Sequence, residues 1–234
     1  MKYKDIRKFQ NHNYLDMVFI DPYAMLISPL FTKLFLKFRI IPNDVTILMI
    51  LSGILGAIVF SINNIFVKII GILFIHIWYI LDCSDGEVAR ITKKFSMFGT
   101  EIDYLAHVVN HPLFCFSFMI SLYSVYNNNI IIILFMILAT LNLINRNIIL
   151  FVYIFNIKNK SCNEKIFPKK SYFKKIVIYI IAIFINFPNF AIIFPIIFLV
   201  SSKYSLIYLI ICVIFNIIFI PRSVIKFLMQ IRKK

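Results

Sequence analysis

The sequence predicts an all-α membrane protein, six transmembrane helices preceded by an N-terminal amphipathic interfacial segment. Three observations carry this. Of 234 residues, 61% are hydrophobic and only 15% charged, with a mean hydropathy of +0.89. A soluble domain has about 45–50% apolar and about 25% charged residues. The apolar residues fall in runs near the roughly 20 residues that a helix needs to cross a bilayer. No period-two alternation extends over barrel-length segments, which leaves helices as the spanning structure. Finally, 25 Lys+Arg against 10 Asp+Glu give a net charge of +15, concentrated between alternate runs. The apolar excess excludes disorder. On so apolar a chain the basic charge marks cytoplasmic loops, and no nucleic-acid partner is expected.

Residues 1–42 read as a cytoplasmic and interfacial segment, not a cleavable leader, because they lack a short apolar core followed by a small-residue cleavage site. From Asp21 the pattern is amphipathic. Asp21-Pro22 can cap and start a helix. Ile27, Leu30, Leu34 and Phe38 then share one face, with Lys33 and Lys37 on another. Pro29 is expected to break or kink it. Such a basic amphipathic segment lies in the membrane interface.

Residues 43–220 form the membrane domain, with spans at 45–62, 67–81, 105–126, 130–155, 176–200 and 206–220. The third enters through a more polar turn near Gly99, and the asparagine run at 127–129 is a short external turn. A basic tail, 221–234, follows. Seven basic residues precede the first span, three follow the second, seven follow the fourth and five lie in the tail, against Lys68 and Lys203 on the other side. The positive-inside rule then places both termini in the cytoplasm of a multi-pass inner-membrane protein. Cys83, Cys115, Cys162 and Cys212 are scattered singly and read as buried apolar fillers, with neither a disulfide framework nor a thiolate metal site.

Five of the ten acids fall between positions 82 and 103: Asp82, Asp85, Glu87, Glu101 and Asp103. An acid at mid-bilayer costs about 2.5–3.5 kcal/mol, so the cluster must lie near the interface, face a polar cavity or hold cations. If helix continues past Leu81, Asp82, Asp85 and Ala89 share a stripe, and Asp103 and His107 share one on the next helix. Two facing helices could thus converge three carboxylates and an imidazole. Oxygen-rich clusters suit Mg²⁺ or Mn²⁺, with a phosphate completing the shell. The alternative is a solvated loop in which the acids balance Arg90, Lys93 and Lys94. That alternative leaves the helical register unexplained, along with Gly86 and Gly99 in a chain of only five glycines. Glycine there would let a large ligand approach the backbone.

The stretch Asp82-Cys83-Ser84-Asp85-Gly86-Glu87-Val88-Ala89-Arg90, followed by Gly99 and Asp103, resembles the CDP-alcohol phosphatidyltransferase signature, D-x2-D-G-x2-A-R-x8-G-x3-D-x3-D. Every fixed position matches except the last, where His107 replaces aspartate. Upstream, Pro42-Asn43-Asp44-Val45-Thr46 is similar to the P-N-x-x-T that opens the family's first span. The resemblance implies an enzyme dependent on Mg²⁺ or Mn²⁺, with two ions. It would join an acceptor hydroxyl to the phosphoryl group of a CDP-alcohol and release CMP. By position, Asp82, Asp85, Asp103 and His107 would hold metal. Asn43, Thr46, Gly86, Ala89, Arg90, Ser96 and Gly99 would line the CDP pocket, where Ala89 equally suits close helix packing. His107 and Asp103 would be catalytic, since histidine can abstract a proton or ligate Mn²⁺, although Mg²⁺ prefers oxygen.

Beyond the motif, Arg146 is the one charge inside an apolar span, and intramembrane arginine is by default functional. With Asn142 and Asn145 it could bind an acceptor phosphate, or serve only helix packing. His111 reads as a polar residue near Pro112, and His76 as a buried hydrogen-bonding residue. The expected donor is CDP-diacylglycerol, with an acceptor alcohol or phospho-alcohol and the membrane lipid as further partners. Other readings are a soluble CDP-alcohol donor with a lipid acceptor, a non-catalytic nucleotide- or metal-binding scaffold, and a transporter using Asp103 and Arg146. A homodimer is suggested by the family likeness alone.

Overall fold

Asn64 stops one apolar run and starts the next: its Oδ1 accepts from the backbone N–H of Phe66 (2.9 Å) and Val67 (3.3 Å), capping the helix whose far end carries Asp82, Asp85 and Glu87. The computed structural model describes residues 2–10, 23–158 and 187–232, and all regular structure among them is helical. The elements are α1 (Tyr3–Arg7), α2 (Ala24–Lys37), α3 (Pro42–Ser61), α4 (Ile65–Thr92), α5 (Gly99–Tyr126), α6 (Asn129–Lys158), α7 (Phe187–Val200) and α8 (Ser202–Arg232). They fall into two compact units, Met1–Tyr126 and Asn127–Lys234.

Among the described residues, five helices are long and apolar enough to cross a membrane: Pro42–Ser61, Ile65–Thr92, Gly99–Tyr126, Asn129–Val152 and Ser202–Met229. The span expected at 176–200 is described only from Phe187, as the 14-residue apolar helix α7. Residues 176–186 lie outside the described residues, as do Asp21, Pro22, Cys162 and the basic cluster from Lys160 to Lys175. Of the remaining cysteines, Cys115 and Cys212 are buried as expected, whereas Cys83 is half-buried.

In the first unit α3 packs against both α4 and α5. Glycine makes the α3–α4 crossing close: a Cβ on Gly71 would meet the Phe60 backbone N at 2.6 Å, and one on Gly56 would meet Ile75 at 2.9 Å. Small residues are what let helices approach where lipid is as apolar as leucine. Between α4 and α5 the filling is aromatic, with Trp78 and Phe114 ring centroids 5.0 Å apart. Lys68, expected merely as an external basic residue, is buried and donates to the Phe60 carbonyl (2.8 Å) and Ser121 Oγ (2.7 Å).

Helix α4 has 28 residues, about 42 Å at 1.5 Å per residue, against a hydrocarbon core of about 30 Å. Its excess length carries the acidic turns beyond the apolar stretch. Lys93 ends it in a left-handed conformation (φ 54°), and the short 93–98 connection returns the chain into α5. The last turns of α4 and the first turns of α5 therefore lie at one end, beside the start of α3.

Helix α2 runs unbroken through Pro29. Proline removes the N–H that would bond the carbonyl four residues back, here that of Met25, and Gln10 Nε2 donates to that carbonyl instead (2.7 Å). Its inner face carries Met25, Ser28, Thr32 and Phe35, while Leu26, Leu30, Leu34 and Phe38 face outward with Lys33 and Lys37.

In the second unit α8 packs on α6 and α7. Rings fill that core: Phe135 lies 5.6 Å from Phe194, and Phe190 stacks on Tyr208 at 5.8 Å.

Candidate active site

Helical continuation past Leu81 decides the geometry. Asp82 on α4 and Asp103 and His107 on α5 each bring one ligand atom into a group within 4.8 Å of one another. His107 Nε2 lies 3.2 Å from Asp82 Oδ1 and 3.4 Å from Asp103 Oδ1. Side-chain exposure rises from 5% at His107 through 23% at Asp82 to 45% at Asp103, so the group opens on the Asp103 side. Its donors, two carboxylate oxygens and an imidazole nitrogen, fit a divalent cation, and charges so placed in a half-buried site repel unless a cation joins them.

The other side of the imidazole is held too. His107 Nδ1 lies 3.1 Å from His111 Nε2, and the edge of Trp78 contacts both rings at centroid distances of 5.9 Å. His111 is thus more than a polar neighbour of Pro112. His76 is half-buried and hydrogen-bonded to the Tyr23 hydroxyl at 2.6 Å.

Asp85 is not in the three-residue group. Its Oδ2 accepts from Thr46 Oγ1 at 2.8 Å, tying the first turn of α3 to α4. That bond explains physically why a threonine near the start of α3 accompanies the acids of α4. A cavity of about 490 Å³ lies here, and every residue expected of the CDP pocket lines it: Asn43, Thr46, Gly86, Ala89, Arg90, Ser96 and Gly99. Asp85 and Asp103 share its wall, as do Lys94, expected only as a loop charge, and Phe95, which sequence reading passed over. Asp103 belongs to both the wall and the Asp82–His107 group.

The two motif glycines differ. A Cβ on Gly86 would meet Arg90 Nη1 at 3.0 Å, so the guanidinium lies over this backbone; a Cβ on Gly99 would make only an ordinary 3.6 Å contact with Ser96. Arg90 Nε donates to the Phe9 carbonyl (2.5 Å), which fixes the head of that side chain.

Glu87 counts among the clustered acids, but sequence reading assigns it no role of its own. It is 1% exposed and accepts from Gln10 Nε2 (2.7 Å), Ser28 Oγ (2.5 Å) and Thr32 Oγ1 (2.6 Å). Its signal was present in the register, because Glu87 falls off the Asp82–Asp85–Ala89 stripe and toward Ser84. In the second unit, Arg146 stands on α6 with Asn142 buried one turn away, and its buried Nε has no hydrogen-bond partner among the described residues.

No individually curated protein matches the chain closely enough to count as a relative. The profile of one family does match, that of the CDP-alcohol phosphatidyltransferases, over residues 39–220. This range takes in the turn that opens α3, the acidic turns of α4 and α5, and the wall of the cavity. The chain therefore belongs to the CDP-alcohol phosphatidyltransferase family, metal-using membrane phosphotransferases of phospholipid synthesis that join a CDP-alcohol donor to an alcohol acceptor.

Proposed function

We propose that the chain transfers a phosphatidyl group from CDP-diacylglycerol to an acceptor hydroxyl, releasing CMP, at the cytoplasmic face of the inner membrane. The observation that carries this reading is the single cavity in which all seven expected donor-site residues meet Asp85 and Asp103. Such a pocket suits a pyrophosphate between a nucleoside and a lipid. Acyl chains would leave sideways into the bilayer while the nucleotide stays in water.

Asp82, Asp85, Asp103 and His107 would hold two ions, Mg²⁺ or Mn²⁺, which when bound supply charge neutralisation for the pyrophosphate and the departing CMP. The protein's own groups do the rest. Arg90, its Nε already engaged, presents its terminal nitrogens to a phosphate oxygen. Asn43, Thr46 and the Gly86–Ala89 surface shape the nucleotide wall. The acceptor oxygen forms a bond to the lipid-side phosphorus as the bond to the CMP oxygen breaks, and its proton passes to the enzyme. His107 Nε2 takes that proton when its lone pair is free; when it is a ligand, Asp103 takes it. Arg146, with its buried Nε, would hold the phosphate of a phospho-alcohol acceptor.

The same reading makes residues 1–42 an interfacial segment, 43–220 a six-span domain and 221–234 a cytoplasmic tail, with a homodimer as the family-based assembly. The test is CMP release by purified protein with Mg²⁺ or Mn²⁺. CDP-diacylglycerol and soluble CDP-alcohols would each be offered with a panel of acceptor alcohols and phospho-alcohols. Release from CDP-diacylglycerol is expected. Turnover of soluble CDP-alcohols alone would move the donor assignment, and CMP binding without release would favour a scaffold.

A further inference from the structure

Residues 3–10 and α2 are joined to the donor cavity at two points one turn apart on α4. At the first, the buried carboxylate of Glu87 receives three hydrogen bonds: Gln10 and Ser28 donate to Oε1 and Thr32 to Oε2. The same Gln10 amide donates to the Met25 carbonyl, which Pro29 leaves without its helical partner. Both hydrogens of that amide are thereby placed, one on α2 and one on α4. At the second point Arg90 Nε donates to the Phe9 carbonyl, one residue before Gln10. Where Glu87 holds Gln10, the neighbouring carbonyl is set at the height of the guanidinium. Arg90 then lies across Gly86, on the cavity wall.

A carboxylate buried to this degree costs free energy unless its oxygens are satisfied, and hydrogen bonds to a charged acceptor are the strong ones. Glu87 therefore fixes the N-terminal segment firmly, and the segment in turn fixes the one arginine of the wall. We infer that Glu87 is a positioning residue of the donor site: through Gln10 and Phe9 it holds the Arg90 guanidinium in place for a phosphate of the nucleotide. This inference rests on the reading of the cavity as a CDP site.

Glu87→Gln keeps the shape but offers a single acceptor oxygen to three donors. Ser28→Ala and Thr32→Val each remove one donor without touching α4. Full-length protein in nanodiscs with Mn²⁺ would be titrated with CMP, and CMP release from CDP-diacylglycerol would be measured over a range of donor concentrations. For Glu87→Gln the Kd for CMP and the KM for donor should rise about tenfold, the size expected for hydrogen bonds lost to a charged group. The kcat should change by less than about threefold, since the bond-making groups are untouched. Ser28→Ala and Thr32→Val should shift Kd and KM the same way by smaller factors, which keeps the test open if Glu87→Gln fails to fold. The decisive arm is a double-mutant cycle with Arg90→Lys: once Arg90 is replaced, Glu87→Gln should weaken CMP binding little further.

Native Kd and KM in folded Glu87, Ser28 and Thr32 variants would overturn the inference while leaving the CDP reading intact. Fully additive losses in the cycle would also overturn it, because Glu87 would then act on the fold and not through Arg90. Failure of the native protein to bind CMP or release it from any CDP-alcohol would instead remove the reading beneath it.

Discussion

His107 faces His111 through Nδ1, 3.1 Å from Nε2 of the second ring, and this leaves its own Nε2 directed at Asp82 and Asp103. The pairing fixes which nitrogen faces the two carboxylates. The imidazole at the position where the motif resemblance expects a carboxylate thus has a neighbour that orients it.

The first prediction concerns that replacement. His107→Asp should retain substantial CMP release, because it would supply the carboxylate that the motif resemblance expects at this position. His107→Ala should lose most turnover, about 10²-fold or more, while still binding CMP in the cavity whose wall it leaves intact. Native turnover in His107→Ala would reduce the imidazole to packing.

A second prediction concerns the shared carboxylates. Asp82→Asn removes one charge from the group within 4.8 Å and should abolish CMP release while the protein remains membrane-inserted. Excess chelator should do the same to the native chain, with recovery on adding Mn²⁺ or Mg²⁺. Full activity in either case would exclude the metal-dependent mechanism.

Sidedness gives a third. With the four native cysteines replaced, Lys93→Cys should react with an impermeant thiol reagent only from the cytoplasmic side, and Asn128→Cys only from outside. The loop of Lys93 carries three basic residues, and the turn at Asn128 carries none. The opposite pattern would invert the topology.

The glycines supply a fourth. Gly71→Ala puts a methyl group against the Phe60 backbone, which cannot swing aside as a side chain can. It should destabilise the fold by about 1–3 kcal/mol, read as a lower midpoint of thermal inactivation. Gly99→Ala, whose Cβ meets nothing closer than 3.6 Å, should leave that midpoint unchanged. Equal midpoints for the two would show that the α3–α4 crossing is looser than its distances imply.

The residues of the cavity were legible in the sequence because motif spacing is a statement about helical register. Asp103 and His107, four apart, must share a face of α5, and the same holds for Asp82 and Asp85 on α4. Hydropathy likewise marked α3, α4, α5, α6 and α8, since the need to hide backbone from lipid acts on each segment separately. What register could not say was which carboxylate would join which group. Asp82 and Asp85 are equally placed on the stripe, yet Asp82 meets His107 and Asp85 meets Thr46.

The sequence by itself determined the helical class, the gathering of basic charge between alternate apolar runs and the chemical types gathered at one end of α4 and α5. These follow from composition and from periods of three and four residues. Only the tertiary structure decided that Glu87 is an anchor rather than a solvated acid, that Pro29 is tolerated within α2, and that the Phe9 carbonyl holds Arg90. Each depends on an approach between distant segments: Thr32 lies 55 residues from Glu87, Gln10 lies 77, and Phe9 lies 81 from Arg90. No local pattern encodes such pairs, because a buried carboxylate states only that donors must exist, and chain folding chooses which donors arrive.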